Sequence, residues 1–288
     1  MHVGVSGWSY PHWRGAFYPE KLVARNQLSY VSEHFDSVEV NRSFYSLLTP
    51  DACRTWYEQT PGGFVFTLKG SRFITHLKKL RDVDTALANF FASGPLALHE
   101  KLGPIVWQLP ATLSFDEVRL SAFFSQLPKT NVEAAALARK HDHRLKRGAY
   151  LAPGKARRLR HALEPRHESF QVPAFAKLAR KHGVAIVAAD SAGWPLIEEV
   201  TTDFVYLRLH GHQHTYTSAY SAIELARWAR HIEQYRTGQL ANDARRISTL
   251  RVPVRKRRDV FVYFDNDGHA HAPRDALALR SLLAKDAP

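Results

Sequence analysis

The sequence predicts an α/β fold, a (β/α)8 TIM barrel, and three observations support this prediction. Eight short β-rich runs recur along the chain, and helical patterns separate most of them. Parallel strands need helical crossovers of this kind, which are right-handed. The length of 288 residues suits one barrel of about 250 residues with insertions. No Gly-x-Gly-x-x-Gly motif follows the first run, so an open dinucleotide-binding sheet has no support in the sequence.

The eight predicted strands are residues 2–7, 37–41, 64–69, 104–109, 160–165, 184–190, 203–210 and 259–265. The helical patterns lie at residues 27–34, 50–59, 86–91, 115–126, 173–182 and 221–239. The last of them carries an apolar stripe at helical spacing, which is typical of a helix packed on a sheet. Ser114 and Glu117 predict a capping box at the start of the fourth helix, and Gly183 predicts the end of the fifth.

We predict one domain over residues 1–288, with two basic segments. A basic helical insertion is expected at about 132–160, between strands 4 and 5, and a basic connection at about 241–258. Residues 139–160 hold nine Lys or Arg and one acid, and residues 245–258 hold seven and no acid. Because the whole chain has a net charge of +13, its basicity belongs to these two segments. They are either solvated faces or surfaces that contact nucleic acid.

The composition excludes several classes of protein. Apolar residues make up 45% of the chain and charged residues 23%, which is enough apolar material for a core. The single cysteine, Cys53, excludes an internal disulfide framework and a multi-cysteine zinc site, and we expect it to be a small core residue. The N-terminus lacks the secretory pattern, and no run is long enough to span a bilayer. We therefore expect a cytoplasmic protein.

Alternation along the strands predicts which side chains reach the barrel mouth, where TIM barrels carry their active sites. Glu39 and Asn41 share the strand face opposite two valines, and Arg208 and His210 lie opposite an aliphatic face. The same reasoning brings further polar groups to strand ends, namely Lys69, Gln108, Glu164, Arg166 and Asp190. These groups form either a ligand site or a charge-neutral network that only plugs the mouth.

These strand ends give the sequence its resemblance to a known family. Over essentially the whole chain it resembles the YecE-like family, catalogued as domain of unknown function seventy-two. The motifs are GVSGWSY at 4–10, VEVNRSFY at 38–45, ITH at 74–76, LGP at 102–104, QLP at 108–110, ALEPRHESF at 162–170, YLRLHG at 206–211 and YFDND at 263–267. The resemblance implies a TIM barrel with loose kinship to metal-using sugar-isomerase and endonuclease barrels, but no secure reaction. Phe170 and Asp265 depart mildly from the family pattern, in which Trp and Asn are common.

Four residues are candidates for catalysis. Glu39 and Glu164 suit a general acid and base, and Arg166 beside Glu164 is expected to keep that carboxylate ionised. Asp190 and His210 complete the set, His210 as a proton carrier. Structural pairing of the carboxylates is the alternative.

Twelve residues are candidates for substrate binding. The cationic side chains among them suit a phosphate or carboxylate, and the aromatic rings suit a sugar or base. The alternative is that the cations pair with carboxylates of the protein and the rings only pack on the rim of the barrel. The residues are Ser6, Trp8, Tyr10, Asn41, Lys69, His76, Gln108, Arg166, His167, Arg208, Asn266 and Asp267. A divalent metal is compatible with the histidines at 210, 212 and 214, but three cations in the same mouth oppose it. We therefore assign no metal ligands and leave the cofactor open.

Three functional hypotheses follow. The leading one is an enzyme, isomerase-like or hydrolase-like, that applies acid–base chemistry to a phosphorylated or sugar-like anionic ligand at the barrel mouth. The second is a nucleic-acid-binding or phosphodiester-processing protein that uses residues 139–160 and 245–258. The third is a protein that binds a metabolite without turnover. The sequence does not decide the oligomeric state.

Overall fold

The computed structural model describes residues 1–285 and confirms the predicted barrel. Eight parallel strands close into a ring in which each strand pairs with the next and the eighth pairs with the first. The strands are β1 (His2–Ser6), β2 (Ser37–Val40), β3 (Val65–Lys69), β4 (Leu102–Gln108), β5 (His161–Glu164), β6 (Val184–Asp190), β7 (Phe204–Leu209) and β8 (Asp259–Phe264). The last three residues of the predicted domain lie outside the described residues.

Helices surround the barrel. They are α1 (Gln27–His34), α2 (Arg42–Tyr45), α3 (Pro50–Glu58), α4 (Asp84–Ala92), α5 (Glu117–Gln126), α6 (Asn131–Ala138), α7 (Pro173–His182), α8 (Ala222–Arg236) and α9 (His271–Lys285). The short α2 follows β2 directly and lies at the barrel mouth.

Two apolar layers stabilise the fold. The larger one lies between the strands and the helices and includes the buried rings of Trp13, Trp107 and Trp228. The smaller one fills the lower barrel interior and consists of Val106, Ala162, Ala185, Val187, Ala189, Phe204, Tyr206, Phe261 and Tyr263. Above this inner layer, toward the C-terminal ends of the strands, the inward-facing residues become polar and charged.

The helix ends follow local chemistry, with one correction to the sequence prediction. α7 ends at Gly183, whose φ of 69° is left-handed, as predicted for a glycine after the last turn. The predicted capping box of Ser114 and Glu117 is wrong. Asp116 caps α5 instead, because its carboxylate accepts a hydrogen bond from Arg119 N at 3.0 Å.

The prediction of a helical insertion is correct only for its first turns. α6 ends at Ala138, and residues 139–160 follow an irregular path along the barrel wall. Asp142 N donates to the Asn89 side chain at 2.9 Å, and Tyr150 N donates to Ala92 O at 2.8 Å. Both acceptors lie in α4, so these hydrogen bonds fix the segment to that helix. Two glycines with positive φ, Gly148 and Gly154, interrupt any helix there.

A few of the basic residues in the two segments form ion pairs within the fold. Arg158 and Arg160 both pair with Asp203, at 3.0 and 3.5 Å, and Arg246 pairs with Glu199 at 2.8 Å. Residues 241–258 lead into the start of β8, the end of the barrel opposite the mouth. The two basic segments therefore do not form one rim around the predicted site. No helix within residues 1–285 combines the length and the apolar character needed to cross a bilayer.

Candidate active site

Arg208 is the centre of the barrel mouth. It projects inward near the end of β7, and its side chain has no solvent exposure. Its guanidinium donates to three carboxylates, and the shortest contacts are 2.7 Å to Glu39 Oε1, 2.6 Å to Glu164 Oε2 and 2.7 Å to Asp265 Oδ2. Gln108 Oε1 accepts a longer bond at 3.4 Å. We call Arg208 and these three carboxylates the Arg208 network.

Glu39 has no oxygen left for a ligand. Its Oε1 accepts from Ser6 Oγ at 2.5 Å as well as from Arg208, and its Oε2 accepts from Tyr206 OH at 2.6 Å and from Arg208 Nε at 3.1 Å. With four donors and no exposed surface, this carboxylate positions its neighbours. Glu39 and Ser6 therefore occupy the predicted place but are fully hydrogen-bonded within the protein.

Glu164 is held as a carboxylate by two arginines. Arg166 Nε donates to Oε1 at 2.7 Å, and Arg208 Nη1 donates to Oε2. Burial alone would raise the pKa of Glu164, but the two cations lower it well below the ordinary range. The lowered pKa agrees with the expectation that, of Glu39 and Glu164, the latter is kept ionised by Arg166.

Asp265 is the carboxylate with a free oxygen. Its Oδ2 accepts from Arg208 and lies 3.2 Å from His210 Nδ1, whereas no donor in residues 1–285 bonds to Oδ1. Burial raises the pKa of Asp265, but Arg208 and His210 outweigh burial and lower it. The side chain is 12% exposed, so its free oxygen borders solvent at the mouth.

His210 bridges two members of the Arg208 network. Its ring is buried, with Nε2 3.2 Å from Arg208 Nη1 and Nδ1 facing Asp265. Burial and the positive charge of Arg208 lower the pKa of His210, so the ring is neutral at pH 7. An acceptor Nε2 requires the proton on Nδ1, which faces Asp265 Oδ2 at 3.2 Å without forming a well-aligned hydrogen bond.

Lys69 ends β3 and stands beside the network without joining it. Its side chain is almost fully buried, and Nζ lies 4.7 Å from the centre of the Phe44 ring. No described residue accepts a hydrogen bond from Nζ or forms an ion pair with it. Burial and nearby Arg208 lower the pKa of Lys69 to about 8. With Lys69 and Arg166 counted, three cations balance the three carboxylates of the mouth.

Arg166 forms one side of the mouth. Its guanidinium stacks over Trp194 at 3.5 Å and contacts Tyr216 OH at 3.3 Å, in addition to Glu164. His76 lies on the rim, with its ring packed edge-on against Phe44 at 5.1 Å. Burial, followed by Arg166, lowers the pKa of His76 to about 4, so this imidazole is neutral at pH 7.

An aromatic cavity of about 470 Å³ opens next to the mouth. We call it the rim groove, and its principal lining residues are Trp8, Tyr10, Asn41, Arg42, Tyr45 and Trp56. Tyr10 OH donates to Ser6 O at 2.7 Å, and Asn41 Nδ2 donates to Tyr10 OH at 3.3 Å, which connects the groove to the first two strand ends. Three sequence-predicted binding residues, Trp8, Tyr10 and Asn41, thus lie together here.

Asp190 lies on the wrong side of its strand for the predicted site. Residues 185, 187 and 189 of β6 face the barrel interior, so Asp190 faces the helices. Its carboxylate accepts from Trp228 Nε1 of α8 at 3.1 Å and lies 3.1 Å from His212 Nδ1. The expectation that Asp190 joins the polar groups of the barrel mouth is therefore wrong, because it shares a strand face with Ile186 and Ala188 and that face is the outer one.

Three other predicted binding residues serve the fold. Asn266 is buried and donates to Asp275 Oδ2 at 2.7 Å, and His167 accepts from Ser169 N at 3.2 Å to cap a short turn. Asp267 binds the indole N–H of Trp13. Burial raises the pKa of Asp267 to about 6. None of the three contacts the Arg208 network.

Sequence reasoning missed Asp265 and Tyr206 as parts of the site. The signal for Asp265 was present, because residues 261, 263 and 265 alternate along one face and the first two lie in the inner layer. Tyr206 lies two residues before Arg208, so the same alternation along β7 indicates an inward side chain, but it is not among the candidate site residues. Within residues 1–285 no group of three His, Cys, Asp or Glu side chains is arranged to hold a metal ion.

Comparisons with known proteins agree with this architecture. A family model described as "Protein of unknown function DUF72" matches residues 2–288. The Escherichia coli K12 protein UPF0759 YecE is 32% identical over 130 residues, a match that spans only 44% of each chain. UPF0759 YunF of Bacillus subtilis is 31% identical over 75 residues, 26% of each chain.

Two solved structures share the fold. A DUF72 family protein from Thermotoga maritima superimposes with a TM-score of 0.73 at 23% identity and covers 98% of both chains. A DUF72 family protein from Enterococcus faecalis gives a TM-score of 0.69 at 15% identity, covering 100% of this chain and 96% of its own. At these identities the likeness concerns the fold.

Proposed function

This chain belongs to the DUF72 family, and from that premise and the chemistry of its barrel mouth we propose that it is an enzyme that moves protons on a small anionic ligand. The ligand class is a phosphorylated or sugar-like compound. The reacting end faces Lys69 and Asp265, and the anionic group reaches Arg166 or, along the rim groove, Arg42. The observation that carries the proposal concerns Lys69 and Asp265. The Lys69 ammonium is almost buried and has no partner among residues 1–285, and the nearby Asp265 carboxylate has one free oxygen.

The division of labour follows from which groups are already occupied. Glu39 accepts four hydrogen bonds and Glu164 accepts one at each oxygen, and both carboxylates orient Arg208. Asp265 is oriented through Oδ2, and its lowered pKa keeps it ionised with Oδ1 free to accept a proton. A ligand that displaces water from the mouth would raise this pKa toward the range of a general base. His210 fixes Asp265 and is the nearest neutral group that can share its proton. In a purely structural network we would expect Lys69 to form an ion pair, because burying an ammonium without a partner lowers the stability of the fold.

The rim groove supports a ligand larger than the reacting group. Trp8 and Trp56 meet edge to face at 5.3 Å, and Tyr45 is 67% exposed beside them. Aromatic faces next to polar side chains are typical of sites that hold sugars or bases. The turn of α2 links the two parts, because Phe44 lies under Lys69 while Arg42 and Tyr45 line the groove.

Solvent isotope exchange tests this proposal for any reaction that removes a proton from carbon. The protein is incubated in D₂O with a panel of sugar phosphates and phosphorylated hydroxy acids, and NMR follows loss of C–H signals or appearance of products. We expect at least one compound to exchange, and Asp265→Asn to slow that exchange by about 100-fold or more. Asp51→Asn, an exposed carboxylate on α3, is the control. Tight binding of a compound with no exchange or conversion would instead support a non-catalytic metabolite-binding protein.

A second candidate, nucleic-acid binding or phosphodiester processing, is favoured by one observation. Lys146 and Arg147 line a cleft of about 330 Å³ together with Arg42, which also lines the rim groove. Part of the first basic segment therefore lies next to the site. On this proposal, a labelled single-stranded oligonucleotide binds at low salt and is released as salt rises. Replacing Lys146 and Arg147 by Ser would then weaken binding, whereas the same change at Arg255 and Lys256 would not.

A further inference from the structure

Two lysines of this protein are buried to the same degree but differ in their contacts. Lys101 is 4% exposed, and its Nζ donates to Tyr57 O at 2.6 Å, Thr60 O at 2.7 Å and Thr60 Oγ1 at 3.1 Å. Lys69 is 6% exposed, and its Nζ donates to no described residue. A structural lysine satisfies its three donors as Lys101 does. Lys69 therefore keeps its amine available for something outside the chain.

The surroundings of Lys69 favour the neutral amine. The Lys69 side chain is almost fully buried, and the cations of Arg208 and Arg166 share the same mouth, whereas only the face of the Phe44 ring favours the charged form. Burial and Arg208 lower the pKa of Lys69 to about 8, and the neighbouring carboxylates only partly offset this. At pH 8 roughly half of such amines are neutral, against less than about 1% of ordinary lysines. A desolvated lysine beside other cations is the usual setting for an amine nucleophile.

We propose that the Lys69 amine forms a Schiff base with the carbonyl group of an anionic ligand. This inference rests on the proposed function and narrows its ligand class to aldehydes and ketones that carry a phosphate or carboxylate. The ammonium end of Lys69 and the free Oδ1 of Asp265 border the mouth, and Arg166 supplies a cation for the anionic group.

The atoms of this step balance without a further reactant. The neutral amine adds to the carbonyl carbon, so an N–C bond forms and the oxygen takes up the proton released by nitrogen. The resulting carbinolamine then breaks its C–O bond, loses a second proton from nitrogen and releases water, which leaves the imine. Asp265 Oδ1 is the group that carries protons from nitrogen to oxygen. Once its nitrogen takes up a proton from solvent, the imine withdraws electrons from the adjacent carbon and eases removal of the proton there, which is the reaction proposed above.

Reductive trapping tests this inference on the intact protein. The full chain is incubated at pH 8 with glyoxylate or dihydroxyacetone phosphate and sodium cyanoborohydride, and peptide mass spectrometry locates the stable amine adducts. We expect Lys69 to be modified at least about tenfold faster than the exposed Lys177, because more of its amine is neutral. Lys69→Met should lose this fast adduct and keep the slow one at Lys177. The comparison within the wild-type protein stands even if the variant fails to fold.

The outcomes separate this inference from the proposed function. Modification of Lys69 no faster than that of Lys177, in a protein that still exchanges protons in the D₂O panel, would overturn the Schiff base and leave the acid–base proposal intact. Fast modification of Lys69 with no exchange of any panel compound would support the amine's role and overturn the acid–base proposal. Failure of both would remove the mouth as a reactive site.

Discussion

Arg208 and Glu39 meet through two parallel hydrogen bonds, Nη2 to Oε1 at 2.7 Å and Nε to Oε2 at 3.1 Å. The residues are 169 positions apart, on β7 and β2, and neither side chain is exposed. This two-point contact across the interior fixes the plane of the guanidinium, and that plane then aims its remaining N–H groups at Glu164 and Asp265. The geometry of the mouth is therefore set by one arginine.

Removing that arginine should unfold or strongly destabilise the protein. Arg208→Met leaves Glu39, Glu164 and Asp265 as buried carboxylates without their shared cation, and we expect the free energy of unfolding to fall by about 3–5 kcal/mol. Urea denaturation measures the change. Arg54→Met, which removes an exposed ion pair with Asp51, should cost less than about 1 kcal/mol. Equal losses in the two variants would contradict the central role of Arg208.

Replacing each of the two buried lysines by Met should change the free energy of unfolding in opposite directions. Lys69→Met removes an ammonium that burial disfavours, so we expect the free energy of unfolding at pH 7 to rise by about 1–3 kcal/mol while activity is lost. Lys101→Met leaves the carbonyls of Tyr57 and Thr60 without their donor and should lower it by about 1–3 kcal/mol. Thermal and urea denaturation of both variants check the signs.

The increase in unfolding free energy caused by Lys69→Met should depend on pH. The folded-state pKa of Lys69, about 8, lies below the unfolded value of about 10.4. The buried ammonium therefore lowers the free energy of unfolding by its full amount below pH 8, and this effect vanishes above about pH 10. The difference in unfolding free energy between wild type and variant should shrink over that range. A difference that stays constant from pH 7 to pH 10 would show that the ammonium is not the cause.

Acid should destabilise the protein through Asp265 and Glu164. Both carboxyls have lowered pKa values in the folded state, so they stabilise it above their unfolded pKa of about 4 and lose that contribution as pH falls further. Asp265→Asn should reduce the slope of unfolding free energy against pH by about 1.4 kcal/mol per pH unit below pH 4. Glu58→Gln, at an exposed position on α3, is the control. An unchanged slope in Asp265→Asn would mean that this carboxyl is not ionised in the folded mouth.

Asp190 provides a test of which carboxylate belongs to the site. Asp190→Ala leaves the indole N–H of Trp228 without its acceptor, so we expect a loss of about 1–3 kcal/mol in unfolding free energy. Because the carboxylate faces the helices, affinity for any compound found in the D₂O panel should change less than twofold, whereas Asp265→Ala should change it or abolish turnover. Calorimetric titration compares the variants. A selective loss of ligand binding in Asp190→Ala would restore its predicted role.

The pattern of the sequence was sufficient for the barrel and for most of the mouth. Where one face of a strand is aliphatic and the other polar, as at Glu39, Gln108 and Arg208, alternation identifies the inward groups, and the structure places all three in the interior. The same rule was uninformative on β6, which is buried along both faces. Ile186 and Ala188 differ too little from Ala185 and Val187 to tell inside from outside, so Asp190 was assigned to the wrong side.

The sequence by itself determined the fold, the strand ends that meet and the balance of three cations against three anions. Only the tertiary structure decided that Asp265 rather than Asp190 supplies the third carboxylate, that Arg208 is saturated, and that Lys69 is left without a partner among the described residues. The physical reason is that periodicity is a local property of the backbone. The choice of ionic partner depends on distances between side chains on different strands, which only the closed barrel fixes.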